Sequence, residues 1–236
     1  MRPMRVLYED DGLLAVDKPA GVVVIPARDE DPSTSLRHRL EASRGERLWV
    51  VHRIDRDTSG VVLLARSADA HRALNALFEA RAVEKTYTAL TAGVPSPAEG
   101  VVDVPLHTAR KGKMRPALPN EQGALDALTA YRVTGSWHTL PTPVARLEVS
   151  PRTGRQHQIR VHMRYLGTPL LVDPRYGRAV ALEGLSLPTR LTLHASSLAL
   201  PWKNGPLRVE APLAEDLAAF ITALSLQSTP GSSASG

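Results

Sequence analysis

The stretch VHRIDRDTSG (residues 51–60) is polar, yet it lies between two apolar runs, RLWVV (47–51) and GVVLLA (60–65). Short apolar runs of this kind are typical of buried strands. We therefore predict that residues 51–60 form a connection between two strands at the edge of the core.

Within this connection an acid, Asp55, stands between Arg53 and Arg56. Nearby positive charge favours the ionised form of a carboxylate, and such a carboxylate is a usable nucleophile or base at neutral pH. The same residues also fit a structural turn, in which Asp55 or Asp57 makes an Asx-turn before the next strand. From this stretch alone both interpretations stay open.

The segments around this connection predict an α+β fold with a mixed, largely antiparallel sheet and flanking helices. Residues 5–24 read as strand, turn and strand, and residues 94–123 read as a long excursion rich in Pro, Gly and Lys that contains short strands. We predict one domain over residues 1–224 and a disordered tail over 225–236. Further strand patterns cover 84–93, 127–135, 143–150 and 190–200, and helical patterns cover 33–45, 67–83, 156–167 and 211–226.

The composition restricts the kind of partner and the cellular compartment. The chain has 236 residues, a formal net charge of +5, a sequence pI of about 9.8 and no cysteine. The basic excess favours a polyanionic partner, and the lack of cysteine excludes disulfides and thiolate metal sites. The chain contains no long apolar run of the kind that crosses a membrane, so we expect a soluble, cytoplasmic protein.

A second segment of interest is TGRQHQIRVHMRYLG (153–167). As a helix it places His157, Arg160 and Arg164 on one face and an apolar stripe on the other. Such a basic stripe is compatible with a solvated surface helix. Thr153–Gly154–Arg155 at its start would instead supply free backbone N–H groups at the positive end of a helix dipole, which suits phosphate.

Two further features fit either a structural role or contact with the bases and phosphates of a nucleic acid. Tyr87, on a predicted strand, could be a core residue or could stack on a base, with Lys85 turned towards phosphate. The loop 107–115 contains Lys111 and Lys113 and could contact phosphates or be solvated.

Signatures of several other functions are absent from the sequence. There is no HExxH, no GxSxG elbow, no GxxxxGK[ST] loop and no GxGxxG turn. His157 and His162 are five residues apart rather than the four that a helical zinc pair requires. We predict that no metal is used.

Taken together, four segments in this order resemble the RluA-type branch of the pseudouridine synthases. They are HRIDRDTSGVVLLARS, KTYTAL, TGRQHQIRVHMRYLGTPLLVDPRYG and RLTLHASSLAL, preceded by the strand pair VLYEDDGLLAVDKPAGVVV. The resemblance covers about residues 5–213. It implies the pseudouridine synthase fold with a central RNA-binding cleft.

The resemblance also implies an activity, the isomerisation of uridine to pseudouridine in ribosomal or transfer RNA without a cofactor or metal. By this resemblance Asp55 is the essential carboxylate, Tyr87 lies against the uracil, and Arg160 pairs with Asp55. Arg53 would enter the RNA stack where the target nucleotide has been flipped out. The other residues that we expect to contact RNA are His52, Lys85, Arg155, His157, Lys111 and Lys113.

The chain departs from the family pattern at a few places. Ile54 replaces a usual leucine, a substitution of similar volume. Val172 replaces a glycine before Asp173 and puts the local turn in doubt. We also expect that there is no room for a separate N-terminal S4-like RNA-binding domain. We expect the protein to be a monomer.

A catalytically silent RNA-binding protein of the same fold is the alternative function. Such a protein would be expected to lose Asp55, Tyr87 or Arg160, and this chain keeps all three.

Overall fold

A computed structural model describes residues 4–26 and 31–227 of the chain. Its strands are β1 (Arg5–Glu9), β2 (Leu13–Lys18), β3 (Trp49–Val50), β4 (Ser59–Ala65), β5 (Glu84–Ala92), β6 (Glu99–Asp103), β7 (Leu106–Ala109), β8 (Lys113–Pro116), β9 (Leu128–Trp137), β10 (Val144–Pro151), β11 (Leu193–Trp202) and β12 (Gly205–Glu210). Its α-helices are α1 (Leu36–Arg44), α2 (Ala68–Glu79), α3 (Gln158–Tyr165) and α4 (Glu215–Gln227).

Ten strands form one sheet, in the order β1-β2-β4-β11-β5-β10-β9-β6, with β12 beside β11 and β3 beside β4. The β4–β11 pair is parallel, and the other pairings among the described strands are antiparallel. β7 and β8 form a separate two-stranded ribbon. The predicted α+β class with a mixed, largely antiparallel sheet is therefore confirmed.

The central strand β4 explains why residues 51–60 are held at the edge of the core. All seven residues of β4 are buried, because helices cover both faces of the sheet. Val61 and Leu63 pack in the cluster that includes Leu74 of α2, whereas Val62 and Leu64 pack in another cluster with α1.

The second half of the sheet is covered in the same way. In β5, Ala89 belongs to the cluster that contains Ile159 of α3, and Leu90 belongs to the cluster that contains Phe220 of α4. Tyr87 packs against both the α1 cluster and the α3 cluster. The site described below lies where these two clusters meet.

Most elements were predicted correctly, and β12 was not predicted. The short strands expected within the excursion at 94–123 are β6 and the β7–β8 ribbon. Helix α4 continues to Gln227, so residues 225–227 of the predicted tail are helical, and the rest of that tail lies outside the described residues. Within residues 4–26 and 31–227, no helix is long and apolar enough to cross a bilayer.

Candidate active site

The loop that carries Asp55 runs from β3 to β4, and its end is fixed by a close backbone contact. Gly60 has a φ of +112°, and a Cβ at this position would lie 2.1 Å from the carbonyl oxygen of Ala195 on β11. Only glycine fits this approach. The first residues of β4 are thereby held against β11, directly after the loop.

Lys18 fixes the middle of the same loop. Its side chain is fully buried (0% exposed) at the end of β2. Its Nζ donates to the carbonyl oxygens of Pro19 at 2.9 Å, Val22 at 2.6 Å and Arg56 at 2.8 Å. The ammonium group therefore ties the Asp55 loop to the turn that follows β2.

Asp55 is one of two carboxylates that share Arg160. Arg160 Nη1 donates to Asp55 Oδ2 at 3.0 Å, while its Nε and Nη2 donate to Asp173 at 2.8 and 2.7 Å. The Asp173 side chain is 2% exposed and the Asp55 side chain is 25% exposed. Asp173 therefore binds the Arg160 guanidinium on its buried side. Asp55 binds the same guanidinium on its partly exposed side, next to the cavity described below.

The charges of this cluster are mutually stabilised. Burial alone would lower the pKa of Arg160, but its hydrogen bonds and attraction to Asp173 and Asp55 raise that pKa above its ordinary value. Burial opposes ionisation of Asp173 too, yet the Arg160 guanidinium keeps the pKa of that carboxyl below its usual value. Arg160 is thus a permanent cation beside Asp55.

Asp173 also organises the turn that follows it. Its Oδ1 accepts hydrogen bonds from the backbone N–H groups of Arg175 at 2.9 Å and Tyr176 at 3.0 Å. Gly177 N–H donates to the Asp173 carbonyl at 2.9 Å. The turn therefore forms with Val172 in place of glycine. This departure from the family pattern does not disrupt the local backbone.

A cavity of about 570 Å³ opens beside Asp55, within the size range of small-ligand sites. One wall is apolar and aromatic, and it includes Tyr87, Phe78 and Leu193. Burial and the charge of Asp55 raise the pKa of the Tyr87 hydroxyl, so Tyr87 is neutral at physiological pH. The cations that line the cavity are Arg53, Arg81, Lys85, Arg152, Arg155 and Arg160.

A second cavity, of about 550 Å³, is also lined by Asp55. It shares Arg53, Asp55, His157 and Arg160 with the first cavity, and it adds Arg175. Asp55 therefore lines two cavities that both carry several basic side chains, and the aromatic residues Tyr87 and Phe78 belong to the first one.

Two residues predicted to bind RNA make structural contacts at this site. His52 stacks on Phe78, and its Nε2 accepts a hydrogen bond from Leu63 N–H at 2.8 Å. Burial lowers the pKa of His52 to about 3. Lys85 Nζ donates to the Thr153 carbonyl at 3.0 Å, and burial lowers its pKa. Both side chains also line the first cavity, so their RNA contacts stay a prediction.

The start of α3 differs from what the sequence suggested. Arg160 is only 5% exposed, so the predicted basic stripe does not form a solvated face at this position. The Arg155 N–H is not free, because it donates to Gln158 Oε1 at 3.0 Å. The Gln158 side chain thus occupies one of the backbone N–H groups predicted to be free for a phosphate.

The remaining basic residues are divided between the cavity and the ribbon. Arg155 lines both cavities, and its Nε donates to the Asp126 carbonyl at 2.9 Å. Lys111 and Lys113 are exposed near the tip of the β7–β8 ribbon and line neither cavity. Among the described residues, no group of three or more His, Asp or Glu side chains could hold a metal ion.

Sequence reasoning missed three residues that build the site: Lys18, Asp173 and Tyr176. In β2, Lys18 continues the alternation of the buried residues Leu14 and Val16, which is a signal for a buried side chain. The DPRYG sequence signals only a turn, and nothing in it identifies a partner for Arg160.

The chain is similar to proteins of one family. The sequence profile described as RNA pseudouridylate synthase matches residues 12–165. Ribosomal large subunit pseudouridine synthase D of Xanthomonas campestris is 36% identical over 94% of this chain and 70% of its own length. Dual-specificity RNA pseudouridine synthase RluA of Escherichia coli K12 is 37% identical over 88% of this chain and 92% of its own length.

Solved structures agree with this similarity. Human RNA Pseudouridylate Synthase Domain Containing 4 superposes with a TM-score of 0.74 at 28% identity, covering 94% of this chain and 93% of that one. Human RNA Pseudouridylate Synthase Domain Containing 1 has a TM-score of 0.75 at 24% identity, covering 95% of this chain and 98% of that one, and supports the fold.

Proposed function

We propose, from the premise that this chain belongs to the RNA pseudouridylate synthase family, that it isomerises specific uridines in structured RNA with Asp55 as the essential carboxylate. Members of this family are isomerases that act on RNA. The proposal adds the residues, the course of the reaction and the class of substrate.

The observation that carries the proposal is the position of Asp55. Its carboxylate is paired with the permanent cation of Arg160, and Asp55 and Tyr87 both line the first cavity. A partly exposed, ionised carboxylate in such a cavity can act on a bound nucleotide as a nucleophile or as a base. In either role the carboxylate reacts in its unprotonated form.

In the proposed reaction the N1–C1′ bond of uridine breaks, the uracil turns while it is held in the aromatic cavity, and a C5–C1′ bond forms. The proton leaves C5, and N1 gains one, so the product is an isomer of the substrate. Tyr87 would lie against the uracil and assist removal of the C5 proton. The mutual attraction of Arg160 and Asp55 would keep the carboxylate in place throughout.

Access to N1 and C5 requires that the nucleotide leave its stack, because both atoms are enclosed in stacked RNA. Arg53 is exposed and lines both cavities, so it could occupy the space left by the flipped nucleotide. The basic side chains of the two cavities would bind the flanking phosphates. The substrate class that we propose is ribosomal or transfer RNA, and the ribosomal part is in keeping with the name of the Xanthomonas campestris relative.

Asp55→Asn tests the proposed catalytic role, with Asp57→Asn as a matched control on the same loop. We expect Asp55→Asn to lower single-turnover conversion at least about 10³-fold, the scale on which a nucleophile or general base contributes. RNA affinity should be retained, because the change removes a negative charge. The substrate is RNA from cells without the gene, incubated with the protein. Mapping its pseudouridines at base resolution identifies the modified uridine, and the modified fraction at successive times gives the rate.

Two results would contradict the proposal. Conversion by Asp55→Asn at near the wild-type rate would remove Asp55 from the mechanism. RNA binding by the wild-type protein without any conversion would favour the catalytically silent alternative.

A further inference from the structure

His157 lies between Asp55 and a buried tyrosine hydroxyl. It immediately precedes α3, with a left-handed backbone (φ 55°) that turns its ring towards the site. Its Nδ1 lies 2.7 Å from Tyr176 Oη, and its Nε2 lies 4.0 Å from Asp55 Oδ2. The two nitrogens of the ring therefore have different neighbours.

The hydrogen bonds of Tyr176 decide which nitrogen of His157 carries the proton. Tyr176 is 4% exposed, and its hydroxyl oxygen accepts the Met114 N–H at 2.8 Å. A backbone N–H can only donate, so the single hydroxyl proton remains available. Within the part of the chain that the structure describes, His157 Nδ1 is the acceptor in its reach. Nδ1 is therefore unprotonated, and a neutral ring carries its proton on Nε2, facing Asp55.

The charges around His157 favour the neutral ring. Burial lowers its pKa, and Arg160 and Arg175 lower it further, against the opposing effects of Asp55 and Asp173. These four groups and Tyr176 face the imidazole from the Asp55 loop, from α3 and from the turn at 173–176. A protonated ring would also leave the buried Tyr176 hydroxyl proton without an acceptor among the described residues.

We propose that Tyr176 is a positioning residue for the isomerisation: its hydroxyl holds His157 neutral, with the Nε2 proton towards Asp55. The ring is then a neutral hydrogen-bond donor beside the carboxylate and not a second cation beside it. Among the described residues Arg160 is then the cation in hydrogen-bond contact with Asp55, and the carboxylate keeps the reactivity that a second cation in contact would reduce. This role rests on the proposed function of Asp55.

The pH profile of conversion separates this role from a purely structural one. Tyr176→Phe removes the donor to Nδ1 and frees that nitrogen to bind a proton, so the pKa of His157 should rise towards its ordinary value. At saturating RNA we expect Tyr176→Phe to convert about 10-fold more slowly than wild type near pH 6, with a smaller loss near pH 8. The acid side of its profile should lie at higher pH than in wild type.

His157→Gln provides the matched background. Glutamine can present an N–H near the position of Nε2 but does not titrate, so His157→Gln should lower the rate by a similar factor at every pH. Adding Tyr176→Phe to it should then leave the shape of the profile unchanged. A pH shift that persists in the glutamine background, or superimposable profiles of wild type and Tyr176→Phe, would overturn the proposal.

A measurement without substrate keeps the proposal testable if Tyr176→Phe does not fold. Histidine ¹⁵N spectra of the wild-type protein, with His157 assigned by its absence in His157→Gln, report the tautomer directly. We expect a neutral ring at pH 7 with the proton on Nε2. A proton on Nδ1, or an imidazolium at pH 7, would overturn the role of Tyr176 even if Asp55→Asn abolishes conversion. Conversely, an active Asp55→Asn would refute the proposed function and leave the tautomer result standing.

Discussion

Two buried cations hold the Asp55 loop, and they do so by different chemistry. Arg160 donates to the Asp55 side chain, and the positive charge of Arg160 is compensated by the carboxylates of Asp55 and Asp173. Lys18 reaches the Arg56 carbonyl and is surrounded by backbone oxygens, with no carboxylate in hydrogen-bond contact among the described residues. Arg160 therefore determines the electrostatic environment of the loop, and Lys18 determines the path of its backbone.

The difference follows from the shapes and charges of the two side chains. A guanidinium is a planar fork that pairs with carboxylates, whereas an ammonium directs three donors to separate acceptors. The pKa values move in opposite directions as a result. The carboxylates raise that of Arg160, and burial lowers that of Lys18 to about 7 despite the attraction of Asp57 and Asp55.

Of the two cations, Arg160 should have the larger effect on stability and conversion when it is replaced. Arg160→Met leaves the buried Asp173 carboxylate without its cation, so we expect the free energy of unfolding to fall by about 3–5 kcal/mol. Conversion should be abolished. Chemical denaturation measures the first effect, and Arg164→Met, an exposed arginine on the same helix, is the control. A loss no larger than that of the control would show that Asp173 is not ionised.

Loss of the lysine should cost less, because no unpaired ion remains. Lys18→Met leaves three carbonyl oxygens without their donor, and we expect the free energy of unfolding to fall by about 1–3 kcal/mol. Conversion should fall more than RNA affinity, since the loop is displaced while the basic side chains remain. The exposed Lys203→Met serves as control and should change stability little. Unchanged conversion would mean that Gly60 and β4 fix the loop without Lys18.

The smallest expected effect concerns pH. Because the pKa of Lys18 is about 7 in the folded protein and about 10.5 in the unfolded chain, folding releases a proton between these values. The stability of wild type relative to Lys18→Met should therefore rise with pH, by about 1 kcal/mol between pH 6 and pH 8, and stay constant below pH 5. A flat difference would show that the three carbonyls keep Lys18 charged.

The sequence predicted the elements whose pattern is local. The continuous apolar run of β4 identifies a strand buried on both faces, and the sequence alternation of β5 identifies a strand although its second half is buried on both faces. Helix α3 is also predicted by its pattern, but the pattern alone leaves open whether its polar face meets solvent or a phosphate. A period of 3.6 residues shows which side chains share a face and does not show what covers that face.

The site could be predicted only as far as the resemblance carried it. The pairing of Arg160 with Asp55 is present in the structure at 3.0 Å, as the resemblance implied. The bidentate partner Asp173 and the tyrosine next to His157 come from a turn beyond α3, and their approach depends on how that turn packs against the helix. No local pattern encodes such a contact.

Lys18 has a consequence for how freely this loop can be altered. Every amino acid offers the same backbone carbonyl oxygen, so the hydrogen bonds from Lys18 place no demand on the side chains at positions 22 and 56. At position 56, next to the proposed nucleophile, the hydrogen bond from Lys18 can therefore form whatever side chain stands there, in a library or over evolutionary time. Retargeting the enzyme to a different RNA has a natural starting point at Arg56, where new side chains can be sampled on a backbone that stays where it is.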